Sequence, residues 1–114
     1  MARNMSFAMT IDQVLQQTKT VTRRQGWRYL LPSGLMQPVE KGMGLKKSEK
    51  VKAIGGLIRI TRVSREPVDR ITHGDCVREG FPELSPRGFI EMYCDANKCK
   101  PSDFCTRIEF EYCD

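Results

Sequence analysis

The chain has 114 residues, with 19 Lys and Arg against 14 Asp and Glu, for a formal charge of +5. This length allows one modest hydrophobic core and excludes two, so a single domain over residues 1–114 is expected. No apolar run is long enough to cross a bilayer, and the N-terminus MARNMSFAM lacks the apolar centre of a signal peptide, which implies a cytoplasmic protein without membrane partners.

The basic excess favours polyanionic partners. Acidic residues are nevertheless spread through the chain, which excludes an unfolded basic tail.

In chain order, Met5 to Ala8 reads as a short strand. A helix follows, with Thr10 and Gln13 as a weak capping box and Ile11, Val14 and Leu15 on one face. It ends near Thr18 and delivers Lys19-Thr20-Val21-Thr22-Arg23-Arg24 into an extended segment. Trp27, Leu30 and Leu31 form an apolar turn, and Pro32-Ser33-Gly34 breaks the chain. Leu35 to Glu40 reads as a strand limited by Pro38. Lys41 to Lys52 is a glycine-punctuated surface loop carrying Lys46 and Lys47. Ile54 to Val63 reads as a long strand with a bulge or close backbone approach at Gly55-Gly56, closed by Ser64-Arg65-Glu66-Pro67.

Thr72 caps a short helix that ends at Gly80, and Ser85-Pro86 starts another whose packed side is Phe89, Ile90, Met92 and Tyr93. Thr106 to Tyr112 alternates Ile108, Phe110 and Tyr112 against Arg107, Glu109 and Glu111, the pattern of a half-buried antiparallel strand. Several short strands with flanking helices make the fold α+β, a small curved sheet or barrel.

Cys76, Cys94, Cys99, Cys105 and Cys113 are an odd set, which favours free thiols over a disulfide framework. No CxxC or CxxH pair supplies a zinc knuckle, and the lone His73 lies on a polar turn, so neither a metal nor another cofactor is expected.

KTVTRR packs a potential base, two hydroxyls and two guanidiniums into six residues. A threonine hydroxyl becomes a nucleophile only when a neighbouring base takes its proton, and a lysine serves once burial or adjacent cations lower its pKa. On a straight strand Lys19 and Thr22 would face opposite ways, so a catalytic role requires a bend between them. The competing reading is a solvated basic edge.

The order of features resembles the activating-signal-cointegrator homology (ASCH) domain of the PUA-like superfamily. The residues that carry the resemblance are Lys19-Thr20-x-Thr22-x-Arg24 after a helix, GGLIRITRVSREPV, Glu79-Gly80-Phe81, the helix from Ser85, and RIEFEY. The form with KTVTRR, a glycine-lysine loop and EGFPELSP is similar to phage and prophage members. The resemblance implies a PUA-like small β-barrel with short flanking helices and a basic cleft for RNA or a modified nucleoside.

One small bacterial branch hydrolyses acetylcytidine through a K-x-x-T motif and a distant glutamate, which correspond to Lys19, Thr22 and Glu79 here. Thr20, Arg23, Arg24, Trp27, Lys46 and Lys47 are the candidate ligand-binding residues, the cations for phosphate contact and Trp27 for base stacking. A non-catalytic RNA-binding module and a metal-independent ribonuclease are the alternatives to an amidohydrolase.

Overall fold

The computed structural model describes residues 2–42 and 49–113. Its elements in chain order are β1 (Arg3–Ser6), α1 (Ile11–Leu15), β2 (Val21–Arg24), β3 (Leu35–Val39), β4 (Ile58–Pro67), α2 (His73–Arg78), α3 (Pro86–Asn97) and β5 (Phe104–Tyr112). A single 3-10 turn, Val68–Arg70, links β4 to α2. The fold is α+β, as the sequence pattern predicts. Lys46 and Lys47 lie outside the described residues.

Local chemistry accounts for most element ends. Thr72 Oγ1 accepts from the Asp75 amide at 3.1 Å, and Ser85 Oγ accepts from the Gly88 amide at 3.1 Å, so both predicted N-caps form. Thr10 differs, because its side chain makes no cap bond to α1. Gln13, its expected capping-box partner, donates instead to the Gly80 carbonyl at 3.1 Å.

Gly80 closes α2 with φ +98. The Phe81 amide bonds the Cys76 carbonyl and the Gly80 amide bonds that of Val77, which is the Schellman pattern. A Cβ on Gly80 would stand 2.8 Å from Gln13 Cγ, so both backbone conformation and space demand glycine there. This turn fixes the direction of Glu79, the residue just before it.

The sheet order is β1-β3-β4-β5-β2, with β1 and β3 parallel and the other neighbours antiparallel. The strands are displaced from their expected spans. β1 runs Arg3–Ser6 rather than Met5 to Ala8, and β4 runs Ile58–Pro67 rather than Ile54 to Val63. Gly55, at φ +61, and Gly56 form the bend before β4, not a bulge within it.

The bulge falls at Thr61 instead, because Ile60 opposes Phe110 while Arg62 opposes Glu109. The extra residue shifts the inward positions from Ile58 and Ile60 to Val63, which hides the strand's continuation from a strict period of two. Ser64 to Pro67 therefore belong to the strand and pair with Arg107 to Phe104.

The expected barrel is not closed. β1 and β2 are the two sheet edges, and no ladder joins them. The sheet curls until the Arg24 guanidinium of β2 donates to the Ser6 carbonyl of β1 at 2.6 Å. A side chain spans the gap that backbone hydrogen bonds would close in a barrel.

Two apolar clusters support this shape. One packs Met5, Phe7, Val14, Met36, Ile54, Ile58, Ile60, Ile108 and Phe110 against the concave sheet face. The other gathers Val68, Ile71, Cys76, Phe89, Tyr93 and Cys105 where α2 and α3 meet the end of β5. No described helix is long and apolar enough to cross a membrane.

Candidate functional site

The gap between the sheet edges opens into a cavity of about 240 Å³. Its floor combines Lys19, Thr22, Arg23, Arg24 and Glu79, and its walls include Phe7, Phe81, Phe89 and Tyr93. Met9, from the turn after β1, and Met92, Ala96 and Asn97, from α3, also line it. The aromatic walls escape the sequence reading as a set. Phe89 and Tyr93, four apart on α3, carry the only local signal for them.

β2 starts at Val21, so Lys19 sits in the connection from α1 and escapes the strand alternation. That is the bend a shared site requires, and Lys19 and Thr22 both line the cavity. The Thr20 amide bonds the Arg78 carbonyl at 2.8 Å and the Tyr112 hydroxyl donates to the Lys19 carbonyl, which ties this connection to α2 and β5.

Lys19 and Glu79 are each only 3% exposed. Lys19 Nζ donates to Glu79 Oε1 at 2.9 Å and to the Glu79 carbonyl at 2.6 Å, and it lies 5.9 Å from the centre of the Phe81 ring. Burial pushes the Lys19 amine below its ordinary pKa, and Glu79 pulls it partly back. Thr22 Oγ1 accepts from Arg24 Nε at 3.1 Å. No hydrogen bond joins Lys19 to Thr22 among the described residues.

Arg23 turns away toward α2 and β4. Its side chain is fully buried and touches three carboxylates: Glu79 Oε2 at 3.2 Å, Glu66 Oε2 at 2.9 Å and Asp75 Oδ2 at 2.6 Å. Asp75 also meets Arg107, which reaches Glu109, and Glu109 pairs with Arg78. Four basic and four acidic groups thus form one chain from the cavity floor to the surface.

Arg24 stands outside that balanced set. Its guanidinium lies 4.9 Å over the Phe7 ring, and its hydrogen bonds go to Thr22 and Ser6, not to a carboxylate. Burial lowers the Arg24 pKa, although guanidinium remains the charged form near neutral pH.

Of the other candidate ligand-binding residues, Thr20 accepts from Arg78 Nε at 3.2 Å, and Trp27 is stacked under Arg3 at 4.6 Å. Neither lines the cavity. Glu66, Asp75 and Arg107 carry the electrostatics of the floor, but nothing local marks them, since the bonds that join them to one another and to Arg23 span 32 to 52 residues of chain.

No protein-family model and no curated protein sequence matches this chain. Solved structures do match its fold. An ASCH domain of Lactobacillus crispatus aligns with 96% of this chain and 77% of its own, at 17% identity and a TM-score of 0.63. A DUF984 protein of Enterococcus faecalis aligns over 97% and 79%, at 17% identity and 0.62. A mutant form of the ASCH protein of Zymomonas mobilis aligns over 97% and 68%, at 13% identity and 0.60. The chain has the fold of ASCH domains.

Proposed function

We propose that the cavity holds the base of a modified nucleoside, and that Lys19, Thr22 and Glu79 hydrolyse an N-acylated cytidine there. The observation that carries this reading is a lysine amine buried in an aromatic-walled cavity and fixed by a carboxylate, with a threonine hydroxyl on the same floor. The cavity is smaller than the roughly 300–1,000 Å³ typical of drug-sized ligands, so it suits one base rather than a structured RNA.

In the reaction, the Thr22 hydroxyl attacks the acyl carbon and passes its proton to neutral Lys19. The bond from acyl carbon to the exocyclic nitrogen breaks as Lys19 returns that proton to the leaving amine. Water then cleaves the threonine ester, releasing the carboxylic acid and regenerating the hydroxyl. Burial favours neutral Lys19, Glu79 orients its amine, and Arg24 Nε stabilises charge developing on Thr22 Oγ1.

A second reading, a binding module for RNA or a nucleoside, has its own support. Lys19 donates to Glu79 and makes no hydrogen bond to Thr22, which suits a fixed cation at the base of a cleft. A metal-independent ribonuclease has no comparable observation in its favour.

The test is acetate release from acetylcytidine by the wild type and by Thr22→Val, with ligand binding measured by calorimetry. The hydrolase predicts turnover that Thr22→Val abolishes while binding remains. Binding without turnover in the wild type would leave the module. If that module grips phosphates, affinity for single-stranded RNA falls steeply as salt rises.

A further inference from the structure

Cys94 and Cys99 are not accounted for by the cavity chemistry, yet the fold brings them together. Their sulfurs stand 3.6 Å apart, both half-buried. The cause is the way α3 ends. Lys98 adopts the left-handed conformation at φ 55, and the Cys99 amide bonds the Cys94 carbonyl at 3.2 Å.

This is the Schellman arrangement, which here places Cys99, the second residue after the helix, against Cys94 in its last turn. That contact is usually apolar, as it is between Cys76 and Phe81 at the end of α2. At the end of α3 both partners are thiols.

The enclosed residues matter because Ala96 and Asn97 line the cavity. Asn97 also donates through Nδ2 to the Tyr93 carbonyl at 2.9 Å, and Tyr93 forms part of the aromatic wall. The thiol pair therefore brackets the turn of α3 that edges the cavity.

We propose that Cys94 and Cys99 are a reversible disulfide-forming site that staples this turn. The oxidant is a low-molecular-weight disulfide. In the first exchange, the Cys99 thiolate attacks one sulfur of the oxidant, forming a mixed disulfide and releasing one thiol. Cys94 then loses its proton to water and attacks Cys99 Sγ, closing the protein disulfide and releasing the second thiol. Two protein thiols are oxidised and one small disulfide is reduced to two thiols.

Burial, reinforced by the contact with Cys99, pushes the Cys94 thiol up to about 11. Closure accelerates with rising pH, because Cys94 must lose its proton to attack. Cys76 and Cys105 are buried in the second core cluster and do not compete. The exposed Cys113 does, and replacing it with serine removes that reaction.

The experiment treats Cys113→Ser protein with oxidised glutathione at several pH values, followed by peptide mapping under non-reducing conditions. A Cys94–Cys99 crosslink is expected, formed faster at higher pH and reversed by dithiothreitol. The Cys94→Ser variant should stop at glutathione on Cys99. Hydrogen exchange at Ala96 and Asn97 should slow on oxidation, a readout independent of any cavity ligand.

Thiols that remain free at Cys94 and Cys99, or glutathione that persists on Cys99 without closure when Cys94 is present, would overturn the proposal. Either outcome would reduce the pair to an apolar Schellman contact.

Discussion

Arg23 and Arg24 are neighbours in sequence and on the same edge strand, yet their surroundings are opposite. Arg23 meets three carboxylates from β4 and the α2 region through its two terminal nitrogens, its buried Nε having no hydrogen-bond partner, whereas Arg24 faces the cavity with only a hydroxyl and a carbonyl as acceptors. The first is structural and holds the floor of the site in place. The second leaves positive charge available to a ligand, because the network beside it is already balanced. Alternation along a strand separates the two roles within one dipeptide.

The largest expected effect follows from Arg23. Arg23→Ala would strand Glu66, Asp75 and Glu79 without their shared partner, and removing one side of a buried ion pair typically costs about 3–5 kcal/mol. Arg24→Ala loses two hydrogen bonds and the stacking on Phe7, for about 2–3 kcal/mol. Urea unfolding of the two variants measures the difference. Equal losses would break the comparison. Arg23→Lys should recover little, because an ammonium cannot reproduce the fork that meets several carboxylates.

An intermediate effect is expected at low pH, through Asp75. The bond from Arg107 holds its carboxyl well below the usual range, burial opposes this, and Arg23 adds to the lowering. A depressed folded pKa contributes stability above the unfolded value of about 3.9, which is lost as pH falls below it. Wild-type stability should therefore drop below pH ~4 more steeply than that of Asp75→Asn, which starts less stable and lacks this titration. Parallel acid limbs in urea titrations would show that Asp75 is not the group linking α2 to Arg23.

Much of this site was legible in KTVTRR. The spacing of Lys19 and Thr22 announced a requirement for a bend, and the helix-to-strand junction supplies it. Glu79 was marked only by its resemblance to a family motif. Its burial follows from the turn at Gly80, whose glycine was readable as a helix terminator.

The carboxylates that select Arg23 over Arg24 were not legible, because pairing across more than 40 residues depends on strand register and helix docking. The register of β4 was itself masked by the extra residue at Thr61, which moved the strand's end from Val63 to Pro67. The strand patterns leave a curved sheet and a barrel both open, and the family likeness alone implies closure. Nothing in the strand patterns distinguishes a ladder between β1 and β2 from a single guanidinium bridge.

The smallest expected effect sharpens the comparison at its start, where the chain enters β2. The Tyr112 hydroxyl donates to the Lys19 carbonyl, so it secures the backbone that presents the amine rather than the amine itself. Burial also raises the Tyr112 pKa to about 12, which keeps the hydroxyl a donor near neutral pH. Tyr112→Phe should cost about 1 kcal/mol, the ordinary net value of such a bond. Lys19→Met removes the amine and leaves the carbonyl, so the Tyr112 bond survives it. The two losses should then add to within about 0.5 kcal/mol in a double-mutant cycle read by urea unfolding. A larger coupling would mean that the backbone at Lys19 shifts once its amine no longer holds Glu79. The salt bridge would then set the bend, in place of the Tyr112 anchor and the Thr20 bond to α2.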